Sequence, residues 1–278
     1  MKIKLLLKAV LLLTIFTCEN AMSQENLTTK QYIKVELKDA ISDISINGVP
    51  FIKNLDNDGF ITTEPVNLWL KNGKNTLAYT IHSDDGNTGY SPQVNALVFT
   101  HDNTQELPTP LNNLASISYS HSEENTYPLT KTVEFNLNEK INTRLWDEAE
   151  NITALSQQDK NEMMAIANSL ASYVLSDIKK AIDLQAYKIK EDALSEGKTI
   201  ERLTDAATKS YEWLGSQKDL QIDNIDPSEI NFNICGGGQL VNMMRSNNED
   251  AIILESDDMY FDIGLYFSKI QGKWTIVR

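Results

Sequence analysis

The chain has 278 residues, of which 25 are basic and 39 are acidic, so its formal net charge at neutral pH is −14. A hydrophobic content of 41% is sufficient for packed cores and is not typical of a disordered protein. Nucleic acid and anionic membrane surfaces repel a protein of this charge, which argues against both as partners. The length favours two domains over one.

Residues 1–23 resemble a bacterial secretory signal. Three of the first eight residues are lysines, and the apolar segment 9–16 is too short to span a bilayer. Residues 21–23, Ala-Met-Ser, have the small side chains that signal peptidase recognises. We therefore expect a mature chain that begins at Gln24, is periplasmic or secreted, and has no transmembrane segment.

The cleavage position determines what happens to the two cysteines, Cys18 and Cys235. Cleavage after Ser23 removes Cys18 and leaves Cys235 without an intramolecular disulfide partner. Alternatively, Cys18 is the lipidated first residue of a membrane-anchored lipoprotein, although Phe16 and Thr17 differ from the residues usual at such a site. Without segment 1–23 the chain has 22 basic and 38 acidic residues, a formal charge of −16.

Residues 24–137 show the pattern of short strands separated by Gly, Asn, Asp and Pro, which predicts an all-β sandwich domain of about seven strands. Asn47-Gly48 favours a type I′ hairpin turn. The segment 66–81 predicts a strand, a tight turn and a second strand. Other predicted strands are Tyr32–Leu37, Asn95–Thr100, Ala115–Ser120 and Lys131–Leu137.

Within this region, the stretch Leu70-Lys71-Asn72-Gly73-Lys74-Asn75-Thr76-Leu77 resembles the turn and strand of many β-sandwich and jelly-roll modules of secreted proteins. Carbohydrate-binding modules are among them. The resemblance covers a short segment, so it implies the architecture and no particular ligand.

After a polar joint at residues 138–155, the hydrophobic period becomes helical. Ser156, with Asp159 three residues later, predicts a helix N-terminus, and one apolar stripe continues to Ile189. A second helix is expected from Thr199, with Gly215 as its C-terminal stop. The residues of the first stripe are Met163, Ile166, Leu170, Val174, Ile178, Ile182, Gln185 and Ile189, and the predicted break between the helices is Glu196–Lys198.

From Ile230 the period returns to two, which predicts an antiparallel sheet. Residues 156–278 are therefore expected to form an α+β domain, with two helices packed on a curved antiparallel sheet. The closing segment, Ser268-Lys269-Ile270-Gln271-Gly272-Lys273-Trp274-Thr275-Ile276-Val277, resembles the final hairpin of NTF2-like and cystatin-like domains. The resemblance implies a sheet whose concave face can line a pocket.

Residues 260–268 separate into two faces. Phe261, Ile263, Leu265 and Phe267 form an apolar face that should pack on the helices. On the opposite face, Tyr260, Asp262 and Tyr266 are candidates for lining a pocket. Without a second carboxylate or a histidine close in sequence, a solvated surface is the simpler interpretation.

A calcium site is a minor candidate in the segment 54–61, which resembles the first part of an EF-hand loop. The candidate ligands are Asp56, Asp58 and Glu64. The loop lacks the acidic residue that normally completes it, because Pro65 occupies position twelve. A polar hairpin loop explains this segment better.

No complete catalytic motif is present. Cys235 precedes three glycines but has no nearby base to activate it, so we expect a small buried side chain followed by a sharp bend. His82, His101 and His121 all lie in the β-rich half at spacings that do not define a metal site. We expect a non-catalytic protein without a cofactor.

The charge distribution carries the functional prediction. Residues 219–262 contain ten acidic residues and a single basic one, Arg245. Such a segment can form a negative surface that attracts a basic protein, as an inhibitor or immunity protein would. The predicted acidic surface comprises Asp219, Asp223, Asp226, Glu249, Asp250, Glu255, Asp257 and Asp258.

Two other functions stay open. A small-ligand or glycan-binding protein would use the sandwich or the concave sheet, and sugar stacking would need exposed tryptophans. Trp69, Trp146, Trp213 and Trp274 mostly occupy apolar stripes, where core packing is sufficient to explain them. An enzyme would require Asp262, a histidine or Cys235 to meet in one cleft.

Overall fold

The structure is a computed structural model, and it describes residues 29–55, 58–84, 90–121 and 126–278. The predicted signal, with Cys18, lies outside the described residues. The described part of the chain is mostly β, with four antiparallel sheets and five helices.

The first two sheets occupy the N-terminal part of the chain. Their strand orders are β4-β1-β6-β7 and β3-β2-β5-β8, with every pair antiparallel. The eight strands are β1 (Thr29–Lys38), β2 (Ser42–Ile46), β3 (Val49–Asn54), β4 (Phe60–Pro65), β5 (Gly73–Ile81), β6 (Gln93–Asp102), β7 (Asn112–Ser120) and β8 (Leu129–Leu137).

Alternating burial along these strands produces one hydrophobic cluster shared by the two sheets. In β1 every second side chain is buried, and Ile33 and Val35 meet residues of the other sheet such as Ile44 and Tyr79. The predicted turn at Asn47-Gly48 is confirmed, because both residues have positive φ, 53° and 73°, as a type I′ turn requires.

The prediction for residues 66–70 is wrong, because this segment is not a strand. Residues Asn67–Trp69 form a 3₁₀ turn in which the Trp69 N–H donates to the Val66 carbonyl at 2.9 Å. The Asn67 side chain explains the turn, since its Oδ1 accepts from the Gln31 N–H at 2.8 Å and holds the segment against β1.

Five helices follow in the described chain. They are α1 (Leu145–Glu148), α2 (Gln157–Val174), α3 (Ile178–Leu184), α4 (Ala186–Glu196) and α5 (Ile200–Ser216). The predicted start of α2 is confirmed by a complete capping box between Ser156 and Asp159. Asp159 also accepts from the Trp274 Nε1–H at 2.9 Å and from Lys269 Nζ at 3.2 Å, so it ties the helix start to the last hairpin. The hydrogen bonds from Ser156, followed by those from Trp274 and Lys269, hold the pKa of Asp159 well below its usual range.

The expectation of two helices is wrong for the first of them. The single helix predicted from Ser156 to Ile189 is divided into α2, α3 and α4. The chain leaves the helix after Val174, and the Asp177 side chain then caps α3 by accepting from the Lys180 N–H. The apolar stripe continues across this break because Val174 and Ile178 keep a spacing of four, so periodicity alone does not reveal it.

The beginning of α5 at Thr199 is confirmed, as is the break before it, where Gly197 adopts the left-handed conformation that ends α4. Gly215 is not the stop. The helix continues to Ser216, where the Gln217 N–H closes the last turn on the Leu214 carbonyl and its side chain donates to the Trp213 carbonyl.

The remaining strands form two further antiparallel sheets rather than the one curved sheet expected. Their orders are β10-β11-β14-β15 and β13-β12-β9. The strands are β9 (Gln221–Ile222), β10 (Ile230–Cys235), β11 (Leu240–Arg245), β12 (Ile252–Glu255), β13 (Tyr260–Ile263), β14 (Leu265–Ile270) and β15 (Lys273–Ile276). A single bridge between Met244 and Asp250 links the two sheets.

A second hydrophobic cluster lies between these sheets and the helices. It joins α2 and α5 residues such as Leu170 and Leu214 to sheet residues such as Val241. The predicted apolar face is confirmed, because Phe261, Ile263, Leu265 and Phe267 all pack in this cluster.

Buried charge lies where the helices meet the 3₁₀ turn. Glu191 of α4 is 1% exposed and accepts from the backbone N–H groups of Arg144 and Leu145 at 3.0–3.1 Å. The Arg278 guanidinium, also buried, lies 3.8 Å from Glu191 and donates to the Leu68 carbonyl at 2.7 Å. Glu191 therefore joins α4, the start of α1 and the last residue of the sequence.

Candidate functional site

The sheet β13-β12-β9 and the turn between β12 and β13 carry part of the predicted acidic surface. Tyr260 lies opposite Glu255, and Asp262 lies opposite Ile253. Because neighbouring residues in a strand point to opposite faces, Phe261 and Ile263 enter the core while Tyr260 and Asp262 face outward. Alternation in the sequence therefore positions one carboxylate and one tyrosine on this surface.

The turn between β12 and β13 extends this surface. Glu255 ends β12, Asp257 and Asp258 form the turn, and all three are exposed. We name the exposed residues Glu255, Asp257, Asp258 and Asp262 the acidic face. Asp219 is also exposed and precedes β9 by two residues, where Gln221 pairs with Glu255.

The single cation of residues 219–262, Arg245, is buried and paired with a carboxylate outside the acidic face. Arg245 is 7% exposed, and its Nη1 donates to Asp223 at 2.7 Å while its Nη2 donates to the Asn224 carbonyl at 3.4 Å. The buried guanidinium of Arg245 is thereby paired with a carboxylate whose own side chain is 44% exposed.

Three carboxylates affect the pKa of Tyr260. The pKa of Tyr260 is raised to about 12, mainly by burial and in part by the charges of Glu249, Asp262 and Asp250, whereas Arg245 acts in the opposite direction. The structure therefore brings together Glu249 and Asp250, from the turn between β11 and β12, and Tyr260 and Asp262 of β13. A tyrosine in this field stays protonated and can donate a hydrogen bond.

Asp250, which is half-buried like Asp223 and Glu249, differs from the exposed residues of the predicted acidic surface. Its carboxylate lies so close to Gly264 that a Cβ there would be 3.2 Å from Oδ1. Burial, with a smaller contribution from Asp262, raises the pKa of Asp250 to about 6, and Lys53 acts in the opposite direction. Asp250 thus belongs to the junction with β3 rather than to the exposed face.

Lys53 of β3, which belongs to the N-terminal sheets, lies close to Asp250. Its ammonium donates to the Met244 sulfur at 3.2 Å, a weak acceptor, and burial lowers the pKa of Lys53 against the attraction of Asp43 and Asp250. Burial also raises the pKa of the nearby Cys235 thiol to about 12. A thiol held protonated is a poor nucleophile, so this group of residues does not form an activated cysteine site.

Tyr266 does not share a pocket with Tyr260 and Asp262. It lies on β14, where its hydroxyl donates to the Pro50 carbonyl at 2.6 Å and its ring packs edge-on against Trp69. Burial raises the pKa of Tyr266. Its role in the fold is to join β14 to the hairpin β2-β3.

Asp226 and Glu249 make local hydrogen bonds. Asp226 caps the short 3₁₀ turn Pro227–Glu229 by accepting from the Ser228 N–H at 2.8 Å, and Glu249 accepts from the Asn247 side chain at 2.7 Å. Both shape turns at the edge of the sheet.

The calcium candidate is incompletely described, because Asp56 lies outside the described residues. Asn54, the first residue of the loop, donates its side-chain N–H to the carbonyls of Ala40 and Asp58, so its amide nitrogen stabilises the loop. Glu64 accepts from the Thr62 hydroxyl at 2.7 Å. Within the part of the chain that the structure describes, no group of three His, Cys, Asp or Glu side chains could hold a metal ion.

The three histidines have separate partners. His82 pairs with Asp43 at 2.8 Å, His121 bonds to the Tyr127 hydroxyl at 3.0 Å, and His101 lies beside the Thr109 backbone. His101 is at the opposite end of β6 from the strand end that leads to His121, as the pairing of Gln93 with Ser120 shows. The histidines are therefore not assembled into one site.

The tryptophans offer little platform for a sugar ring. Trp274 is 6% exposed in the core, and Trp69 and Trp146 are half-buried where the two parts of the chain meet. Trp213 is 43% exposed, but its ring packs edge-on against the ring of Phe261.

Two groups of polar residues in the structure were not predicted from the sequence. One is the Glu191–Arg278 contact, whose partners are far apart in sequence. The other is a polar pocket around Gln31 and Asn67. The sequence gives one indication of the polar pocket, which is Gln31. This polar residue occupies an inward position of β1, on the same face of the strand as Ile33 and Val35.

No helix in the described chain is long and apolar enough to cross a bilayer. Comparison with known proteins adds no relative: no family model, curated protein or solved structure matches this chain.

Proposed function

We propose that this is an exported, non-catalytic protein that binds a basic protein partner through the acidic face, as an inhibitor or immunity protein would. The observation that carries the proposal is the burial of Arg245. Because Arg245, the sole cation of residues 219–262, is buried and paired with Asp223, the exposed carboxylates of Glu255, Asp257 and Asp258 form a negative surface, which speeds encounter with a basic surface.

The proposal includes a division into two domains, a β-sandwich at residues 24–137 and an α+β domain at residues 156–278, joined by residues 138–155. Two separate hydrophobic clusters support it, one within the N-terminal sheets and one between the helices and the C-terminal sheets. The NTF2-like interpretation of the second domain stays a hypothesis.

Charge-neutralising variants test the acidic face. We expect the triple variant Glu255→Gln, Asp257→Asn, Asp258→Asn to associate with the partner at least about tenfold more slowly than the unmodified protein, because exposed charges act mainly on the association rate. The measurement is capture of a partner from the periplasmic fraction, followed by association kinetics with the purified partner at about 0.1 and 1 M salt.

The matched control neutralises three exposed carboxylates elsewhere: Glu106→Gln, Glu134→Gln and Asp205→Asn. It changes the net charge equally and should bind almost as fast as the unmodified protein. Equal slowing by both variants would show a net-charge effect and contradict the proposed face, as would the absence of any salt-sensitive partner.

Export is tested separately by mass spectrometry of the mature protein. We expect an N-terminus at Gln24, which corresponds to cleavage after Ser23. A lipidated Cys18 would instead place the acidic face on a membrane-anchored protein and contradict the predicted cleavage after Ser23.

A further inference from the structure

The strand β10 lies at one edge of the sheet β10-β11-β14-β15. Within the part of the chain that the structure describes, β10 pairs with β11 and with no second strand. An edge strand presents the backbone groups of its outer side to any chain that can pair with it. What β10 can pair with depends on the direction of those groups and on its side chains.

The direction of the outer backbone groups follows from the pairing with β11. The Ser246 N–H donates to the Glu229 carbonyl at 2.7 Å, and these two residues continue the β10–β11 register by one position. In an antiparallel pair, residues that exchange hydrogen bonds alternate with residues whose backbone groups point away from the partner strand. Ile230, Phe232 and Ile234 therefore direct their N–H and C=O groups away from β11.

The sequence of β10 is symmetric about Phe232. Residues 230–234 are Ile-Asn-Phe-Asn-Ile, which reads the same in both directions. If two such strands pair antiparallel about a two-fold axis at this residue, Phe232 faces Phe232 of the second copy and each Ile230 faces an Ile234. On the opposite face of the sheet, each Asn231 faces an Asn233. The same register places every outward-directed residue in a hydrogen-bonded pair, so β10 is complementary to a second copy of itself.

The exposure of the side chains suits this pairing. Ile234 is 38% exposed, although it is a large apolar residue. It lies on the same face as Phe232, which is half-buried and packs against the hydrophobic cluster between the helices and the C-terminal sheets. Asn231 and Asn233 are exposed on the other face. A second β10 would cover Ile234 with Ile230 and would pair the exposed amides with one another.

The other edge strands carry features that hinder such pairing. Charged side chains and prolines protect an edge, and the strands β3, β4, β8, β13 and β15 each contain at least one of them. Of the others, β9 has only two residues, and β7 lies beside β8, whose Lys131 donates to the Ser118 carbonyl at 3.5 Å. β10 contains neither a charged residue nor a proline, so its own side chains do not oppose a second copy.

We propose that β10 is a self-association site through which two copies of this chain form a symmetric dimer. Pairing of β10 with β10 of the second copy joins the two four-stranded sheets into one. The strand has six residues, far fewer than the about 20–30 residues on each side of a standard interface, so we expect a weak, reversible dimer. The site shares no residue with the acidic face and does not depend on the proposed function.

The test is sedimentation velocity of the purified protein at concentrations from about 5 to 500 µM, with a reductant present so that Cys235 cannot link two copies. We expect a reversible equilibrium between monomer and dimer. Hydrogen exchange followed by NMR should show slower exchange of the Phe232 and Ile234 N–H groups at the highest concentration, because pairing protects the amides that point away from β11. A monomer at every concentration would overturn the proposal, as would a dimer without this protection.

The double variant Asn231→Asp, Asn233→Asp places carboxylates opposite one another in the dimer, and it should weaken association at least about tenfold. The control, Asn95→Asp with Asn113→Asp, changes the net charge equally at exposed positions of β6 and β7 and should associate almost as the unmodified protein does. Equal weakening by the two variants would reveal a net-charge effect and contradict the proposed site. Because the exchange data on the unmodified protein give the primary result, a folding defect in the variant does not remove the test.

Discussion

Replacing Glu191 by alanine is expected to lower the free energy of unfolding by about 3–5 kcal/mol, the usual effect of removing one partner from a buried charged contact. Glu191 receives three backbone hydrogen bonds at the start of α1. Its removal leaves two N–H groups unpaired and takes one negative charge away from the buried Arg278 guanidinium. Urea unfolding followed by circular dichroism measures the change.

The backbone amides are the principal partners of Glu191, because its 3.8 Å separation from Arg278 is long for an ion pair. Arg278→Met should therefore be less damaging than Glu191→Ala. Glu134→Ala, which removes an exposed carboxylate paired with Lys74, is the control and should change stability by less than about 1 kcal/mol. A loss below about 1 kcal/mol for Glu191→Ala would contradict the structural role assigned to this residue.

Asp250→Asn is expected to stabilise the protein by about 2 kcal/mol at pH 7.5, an order of magnitude set by the raised pKa of Asp250, about 6. Folding makes this carboxyl harder to ionise, so the folded state retains a proton that the unfolded chain releases. Stability therefore falls as pH rises from about 4 to about 6 and stays lower above that range. The asparagine variant should not show this fall.

Unfolding free energies at pH 4, 6 and 7.5 measure this effect. The two proteins should be similar at pH 4 and diverge by pH 7.5, with the variant more stable. Asp258→Asn, an exposed neighbour of the same charge, serves as the control and should change stability little at any of these pH values. A variant less stable than the unmodified protein at pH 7.5 would mean that the Asp250 carboxylate is held by favourable contacts instead of being opposed by burial.

Local features of the fold were predictable from sequence because their causes are local. Asn47-Gly48 specifies its own turn, Ser156 and Asp159 cap a helix within four residues, and alternation in residues 260–267 assigns each side chain to a face. The same alternation predicted that Tyr260 and Asp262 would share the outer surface.

Features that depend on distant residues were not predictable. The helix break before Asp177 preserves the apolar period, so the stripe gives no sign of it. Nothing near Arg245 in the sequence indicates that it is buried and paired with Asp223, and nothing near Asp250 indicates that Gly264 and Lys53 approach it. Whether a charged side chain is buried depends on how the sheets pack together. The sequence pattern specifies only the face of the strand on which each side chain lies.

The most direct test of the proposed function is hydrogen–deuterium exchange of the protein alone and in complex with its captured partner. The account predicts slower exchange on complex formation in β12, β13 and the turn between them, residues 252–263, with the triple acidic-face variant showing little change under the same conditions. Protection confined to the N-terminal strands, with residues 252–263 unchanged, would contradict binding through the acidic face.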